Sequence, residues 1–99
     1  MLNITKSIHE TELLVVLTGR LDTVTAPELE KELKASLDGV SALTIDMEAL
    51  EYISSAGLRV LLLAQKTMNK QGEMKVVHVG ETIMEIFEVT GFSDILSIE

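Results

Sequence analysis

The 99-residue chain contains no cysteine and no tryptophan, and its aromatic residues are limited to two phenylalanines and one tyrosine. The absence of cysteine excludes disulfides, thiolate metal sites and cysteine nucleophiles. So few aromatic side chains cannot build a stacking surface for nucleic-acid bases. The longest uninterrupted apolar runs span five residues, as at 60–64, whereas a membrane-spanning helix needs about 20. We therefore expect no membrane span.

Positive charge is also scarce, because eight Lys and Arg residues face 16 Asp and Glu residues and give a net charge of −8. Phosphate binding needs clustered cations, so we expect neither nucleic acid nor an anionic membrane as partner. Hydrophobic residues make up 46% of the chain, and no linker or repeat divides it. Residues 1–99 are expected to form a single domain. No basic and apolar leader opens the sequence, which predicts a cytoplasmic protein.

Apolar periodicity predicts short strands that alternate with longer helices. Strands are predicted at 2–4, 13–17, 43–47, 74–79 and 95–98, and the unbroken apolar run at 13–17 is typical of a strand covered on both faces. Helices are predicted at 26–37, 58–71 and 82–90. Thr25 and Thr82 each begin a Thr-x-x-Glu capping box, and Gly72 and Gly91 follow two of the helices as stop signals.

This order of elements predicts an α/β fold with a central, mostly parallel sheet. Four to five strands, the N-terminal edge strand being antiparallel, should pack against three to four helices. Loops that leave the carboxyl ends of parallel strands meet at one edge, where ligands bind in such folds. Segments 18–25 and 48–56 are expected to be loops at this edge. Both carry small polar residues, and both lead into a helix.

Catalytic and metal-binding patterns are missing. The Gly-x-Ser-x-Gly elbow fails because Ile53 lies two residues before Ser55. His78 is in step with Met74 and Val76, which favours a histidine on a strand face over a catalytic base. Isolated histidines and scattered acids match no metal-ligand spacing, and the glycines form no phosphate-binding loop. We expect no enzyme, no metal and no cofactor.

The most informative segment spans residues 52–58, with two adjacent serines before a predicted helix. One reading makes a serine the helix N-cap, which stabilises the helix by about 1 kcal/mol. A single serine suffices for that role. The other serine, beside Ala56 and Gly57, would project at the functional edge with no bulky neighbour.

Three segments together resemble the STAS domain family of bacterial anti-sigma factor antagonists. They are LTIDM at 43–47 with LEYISSAGL at 50–58, GRLDTVTAPEL at 19–29, and VTGF at 89–92 followed by Ile95. The similarity covers residues 2–98, with the landmarks in the family's order and spacing. The resemblance implies a STAS-like single domain.

The resemblance also implies a binding switch. An unphosphorylated family member binds an anti-sigma factor that is also an ATP-dependent serine kinase, and the sigma factor is released. Phosphorylation of a serine at the start of the second helix ends this association, and a metal-dependent serine phosphatase of the PP2C type restores it. Alignment on Gly57 and Leu58 places the phosphorylated serine on Ser55, and Asp22 matches the acidic residue of the neighbouring loop.

The expected partner-binding residues surround that serine. They are Asp22, Thr23, Ser54, Ser55, Ala56, Gly57, Leu58 and Arg59. The family often has Asp before the phosphorylated serine and Ser or Thr after it, whereas Ser54 and Ala56 stand here, so Ser54 is an alternative acceptor. The free protein is expected to be a monomer. An alternative function is a STAS-type scaffold or subunit of a transporter or signalling complex, without a phosphorylation cycle.

Overall fold

A four-stranded sheet and three helices form the molecule. The computed structural model describes residues 1–99. Its elements are, in chain order, β1 (Leu2–His9), β2 (Glu12–Leu21), α1 (Ala26–Ser36), β3 (Ala42–Ile53), α2 (Ser55–Gln71), β4 (Glu73–Val77), α3 (Glu81–Thr90) and a 3-10 turn (Phe92–Asp94). The strand order is β1-β2-β3-β4, with β1 antiparallel to β2 and the other pairs parallel. The predicted fold class is confirmed.

Residues 95–98 do not form the predicted fifth strand. They make one parallel bridge, Val76 with Ile98. The Val76 N–H donates to Ser97 O at 2.8 Å, and the Glu99 N–H donates to Val76 O at 2.9 Å. The N–H groups of Ile95 and Leu96 donate to Phe92 O at 3.0 and 2.9 Å, so the first two residues of the predicted strand continue the preceding turn. β4 itself ends at Val77, before the predicted residue 79, because His78 has a left-handed φ of 57°.

The helices cover only one face of the sheet. Leu13, Val15 and Leu17 are buried, but Leu14 between them is 37% exposed and Val16 is only half-buried. The expectation that segment 13–17 is covered on both faces is therefore wrong. The strand order advances in one direction from β2 to β4, so right-handed crossovers place α1 and α2 on the same face. No helix packs against the opposite face of the sheet.

β2 and β3 are longer than predicted, so the two expected loops shrink. β2 continues to Leu21 and β3 to Ile53. Parallel pairing persists through irregular register up to Leu21 with Ile53, and it turns most of segment 48–56 into strand. The connection between β2 and α1 is reduced to residues 22–25, and a single residue, Ser54, separates β3 from α2.

Neither predicted capping box forms. Thr25 is the N-cap of α1 but makes no side-chain cap, because its Oγ1 accepts the Asp22 N–H at 2.8 Å while the hydroxyl donates to Arg20 O at 2.8 Å. α3 begins at Glu81 with Gly80 as its N-cap, so Thr82 lies inside the helix. Gly91 does end α3, with a left-handed φ of 82° that favours glycine. None of the three helices combines the length and the apolar character that a bilayer-spanning segment requires.

Candidate functional site

The carboxyl ends of β2 and β3 pair with each other, and this pairing positions the residues of the predicted site. Leu21 pairs with Ile53 at the last register position of the two strands. The Ser54 N–H then donates to Leu21 O at 2.9 Å. The loop that follows β2 and the first turn of α2 are therefore held side by side, as the sequence predicted for the functional edge.

The two adjacent serines have different roles in the structure. Ser54 is the N-cap of α2, with extended backbone, and its Oγ accepts a hydrogen bond from the Gly57 N–H at 3.4 Å. Ser55 is the first helical residue, and it is exposed. The hydroxyl group of Ser55 makes no hydrogen bond. One serine thus caps the helix, and the other projects from it.

Gly57 allows α2 to approach the strand ends closely. A Cβ atom at this position would lie 2.7 Å from Leu21 Cγ and 2.9 Å from Ile53 Cγ1. These separations are well inside ordinary contact distance between carbon atoms, which is about 3.5–4.0 Å. A glycine is therefore needed to seat the first turn of α2 on the core.

The structure corrects part of the predicted contact surface. Gly57 is buried and Leu58 is only 6% exposed, because both lie on the side of α2 that packs against the sheet. They support the site and cannot form its surface. Thr23, Ser55 and Arg59 are exposed, whereas Asp22, Ser54 and Ala56 are half-buried.

Asp22 organises the loop between β2 and α1. Its Oδ1 accepts the N–H groups of Val24 at 3.0 Å and Thr25 at 3.1 Å. The Asp22 N–H donates in return to Thr25 Oγ1 at 2.8 Å. These hydrogen bonds, first of all the one from the Thr25 backbone, lower the pKa of the Asp22 carboxyl below its ordinary value. The loop is thus a fixed, negatively charged border.

Arg20 and Tyr52 flank this border and were not predicted as site residues. The Arg20 guanidinium lies over the Tyr52 ring, 4.4 Å from the ring centroid. Its Nε is also 3.8 Å from Asp22 Oδ2. Arg20 and Tyr52 are register partners in β2 and β3. The predicted strands alone would not have placed them together, because two register shifts lie between the predicted segment of β2 and Arg20. Val24, 79% exposed at the tip of the loop, gave no signal in the sequence.

The acids and histidines of the chain form no catalytic group with the serines. His78 Nδ1 lies 3.1 Å from Asp46 Oδ2, and Asp46 Oδ1 accepts the Glu48 N–H at 3.0 Å. Asp46 precedes Ile53 by seven residues of strand, which is about 20 Å along β3. The His78–Asp46 pair is therefore far from Ser54 and Ser55. The chain also has no group of three or more His, Asp or Glu residues placed to hold a metal ion.

Comparison with known proteins identifies the family. The STAS domain model matches residues 3–99. BtrV of Bordetella bronchiseptica is 39% identical over 88 residues, which cover 87% of this chain and 76% of that protein. An anti-sigma-B factor antagonist of Bacillus subtilis is 29% identical over 98 residues, which cover 98% of this chain and 90% of the relative.

A solved structure agrees with these matches. The crystal structure of an anti-sigma factor antagonist from Mycobacterium paratuberculosis superposes with a TM-score of 0.89 at 28% identity, and the match covers 99% of this chain and 85% of that one. Anti-sigma factor antagonists are regulatory binding proteins and not enzymes. The chain belongs to the STAS domain family.

Proposed function

We propose that this protein is an anti-sigma factor antagonist controlled by phosphorylation of Ser55. In its unphosphorylated form it binds an anti-sigma factor with serine kinase activity, and the sigma factor is released in the cytoplasm. The kinase modifies Ser55 and ends the association, and a PP2C-type serine phosphatase restores it. The names of the relatives support the antagonist role.

One observation carries the choice of Ser55. Ser54 Oγ is directed to the Gly57 N–H and Ser54 is half-buried, whereas Ser55 is exposed and its hydroxyl has no partner. In the transfer, the Ser55 oxygen attacks the γ-phosphorus of ATP bound to the kinase. The hydroxyl proton passes to a base of the kinase, and ADP leaves. Attack by the half-buried Ser54 oxygen would compete with the hydrogen bond that it accepts from the Gly57 N–H.

The position of Ser55 suits a phosphate group. Ser55 lies at the N-terminus of a 17-residue helix whose first turn contains no acid, and free N–H groups and the helix dipole there favour negative charge. A phosphate adds about −1.5 to −2 charges near the Asp22 carboxylate. The expected result is a folded domain whose contact surface carries added negative charge, so that binding is weakened electrostatically and not by unfolding.

The test is phosphorylation by the cognate anti-sigma kinase with ATP, followed by mass spectrometry of the peptide that contains both serines. We expect one phosphate on Ser55 in the wild type, and the same product from Ser54→Ala. Ser55→Ala should accept none. Modification of Ser54, or transfer to Ser55→Ala at the wild-type rate, would contradict the assignment.

Binding of the kinase provides the second measurement. Ser55→Asp should keep the wild-type circular dichroism spectrum and bind about tenfold or more weakly, because the aspartate introduces charge at the contact surface. Ser55→Asn is the matched control, since it has the same shape without the charge, and should bind more tightly than Ser55→Asp. A scaffold without a phosphorylation cycle would bind equally in all forms.

A further inference from the structure

Helix α2 has a charge pattern opposite to that of the rest of the molecule. Its 17 residues include no Asp or Glu, but they include Arg59, Lys66 and Lys70. All three are exposed, and none takes part in an ion pair, whereas Lys6, Arg20 and Lys34 each lie beside an acid. Since the whole chain carries −8 and α2 carries +3, the remaining residues carry −11. Arg59, Lys66 and Lys70 are called the basic stripe below.

The basic stripe lies on one line of the helix surface. At about 100° per residue, the three side chains project within an arc of about 40°. They extend over about 16 Å along the axis, at a rise of about 1.5 Å per residue. Ser55 is one turn before Arg59 and continues the same line towards the N-terminus. The acceptor serine is therefore the end of the stripe.

We propose that the basic stripe is a docking surface for an acidic patch on the protein partner of this domain. The inference rests on the proposed function, which it extends from the surroundings of Ser55 to the full length of α2. Three cations without local counterions give the helix an electrostatic surface that an acidic protein patch complements. Leu63, 42% exposed and close to the line of the stripe, adds an apolar contact.

The size of the stripe favours a protein patch over an extended polyanion. Nucleic acid or an anionic membrane would also meet the acidic remainder of the domain, because both are charged over distances larger than this molecule, whose longest dimension is 32 Å. A protein can present acid only where α2 docks. The net charge that excludes polyanions therefore does not oppose a local contact.

The stripe explains how one phosphate could control the whole contact. Ser55 and Arg59 are separated by four residues, the spacing at which helix side chains meet. A phosphate of about −1.5 to −2 charges would pair with Arg59 and leave the stripe with a net charge of about +1. The partner would lose most of its electrostatic attraction at the same time as it meets a new negative charge.

The experiment compares two double variants that remove the same charge from different surfaces. Lys66→Gln with Lys70→Gln removes two cations of the stripe, and glutamine has nearly the helix propensity of lysine. Lys31→Gln with Lys75→Gln removes two exposed, unpaired lysines from α1 and β4. The affinity of each unphosphorylated protein for the cognate kinase is measured by calorimetry at about 0.05 M and about 0.3 M salt, because exposed charge pairs are screened over this range. Thermal melting verifies that each variant is folded.

We expect the Lys66 and Lys70 variant to bind about tenfold more weakly at low salt, with a smaller salt dependence, and the Lys31 and Lys75 variant to change less than about twofold. Equal effects of the two variants, or no effect of either while the wild type binds, would overturn the docking surface and leave the proposed function intact. A wild-type protein that does not bind the kinase would overturn both. Binding of duplex DNA that depends on Lys66 and Lys70 at about 0.15 M salt would replace the protein partner by a nucleic acid.

Discussion

At the scale of single residues, the position of α2 depends on the absence of one side chain. Gly57 lies where Leu21 and Ile53 leave no room for a Cβ atom. The three residues come from the ends of β2 and β3 and from the first turn of α2. Any side chain at this position would push the helix, and Ser55 with it, away from the strand ends.

Gly57→Ala should therefore destabilise the protein by about 1–3 kcal/mol, the usual range for overpacking a core. The free energy of unfolding in urea measures this effect. Gly80→Ala is the matched control, because a Cβ atom at Gly80 meets nothing within 4 Å and its φ of −72° suits alanine. The control should lose about 0.5 kcal/mol as a weaker N-cap. Equal losses would show that close packing at Gly57 is not the reason for glycine there.

At the scale of secondary-structure elements, the far end of α2 is fixed by a single side chain. Gln71 Nε2 donates to Leu37 O at 2.6 Å and to Val40 O at 2.7 Å. Both carbonyl groups belong to the connection between α1 and β3. α2 is thus held at its first turn by the strand ends and at its last residue by this connection.

Replacing Gln71 by methionine should cost about 1–2 kcal/mol of unfolding free energy, because both hydrogen bonds are lost while the length of the side chain is kept. Thr67→Met is the control. It lies one turn earlier on α2, is exposed and makes no side-chain hydrogen bond, and methionine is the better helix former. The free energy of unfolding in urea is measured for both variants. A Gln71→Met protein as stable as the wild type would show that the Gln71 side chain is not needed to hold α2 to the connection.

The elements show where sequence reasoning reaches its limit. The alternation of four strands with three helices followed from apolar periodicity. The length of β3 did not, because exposed Glu48, Ala49, Glu51 and Tyr52 break the alternation while parallel pairing with β2 continues. The Thr25 cap failed because the Asp22 N–H donates to the Thr25 oxygen that would otherwise accept from the first turn of α1.

The geometry of the proposed site could be predicted in part. The sequence placed two serines and Asp22 at the same edge, but two adjacent serines look alike until the first residue of the helix is known. The structure distinguishes them by giving the cap to Ser54. Gly57 and Leu58 were predicted to lie on the contact surface, but they are buried because they lie on the side of α2 that packs against the sheet.

At the scale of the whole molecule, two carboxyl groups connect stability to pH. Hydrogen bonds to the Thr25 and Val24 backbone lower the pKa of Asp22. A hydrogen bond and the charge of Lys6, 2.7 Å away, lower the pKa of Glu32. A carboxyl whose pKa is lower in the folded state stabilises the fold above its unfolded pKa, and this contribution disappears as the pH falls through the folded value. The ordinary values are 3.8 for the pKa of Asp22 and 4.5 for that of Glu32.

The melting temperature should accordingly fall as the pH is lowered from about 5 to about 3. The double variant Asp22→Asn with Glu32→Gln should melt at a lower temperature than the wild type at neutral pH and lose less on acidification, so that the two curves converge. Calorimetric scans between pH 7 and pH 3 measure both curves. Asp38→Asn is the control, because the Asp38 carboxylate is exposed and has no ion pair or hydrogen bond. Curves that stay parallel would contradict the role of the two carboxyl groups.

The hydrogen bond from the Ser54 N–H to Leu21 O also has a consequence for recognition. No loop separates β3 from α2, since the strand ends on one side of Ser54 and the helix begins on the other. An enzyme that acts on Ser55 would meet a surface assembled from residues distant in sequence, and an excised peptide of the same sequence would lack that surface. Specificity would then depend on the fold, so that only a folded copy of the protein could enter the proposed phosphorylation cycle.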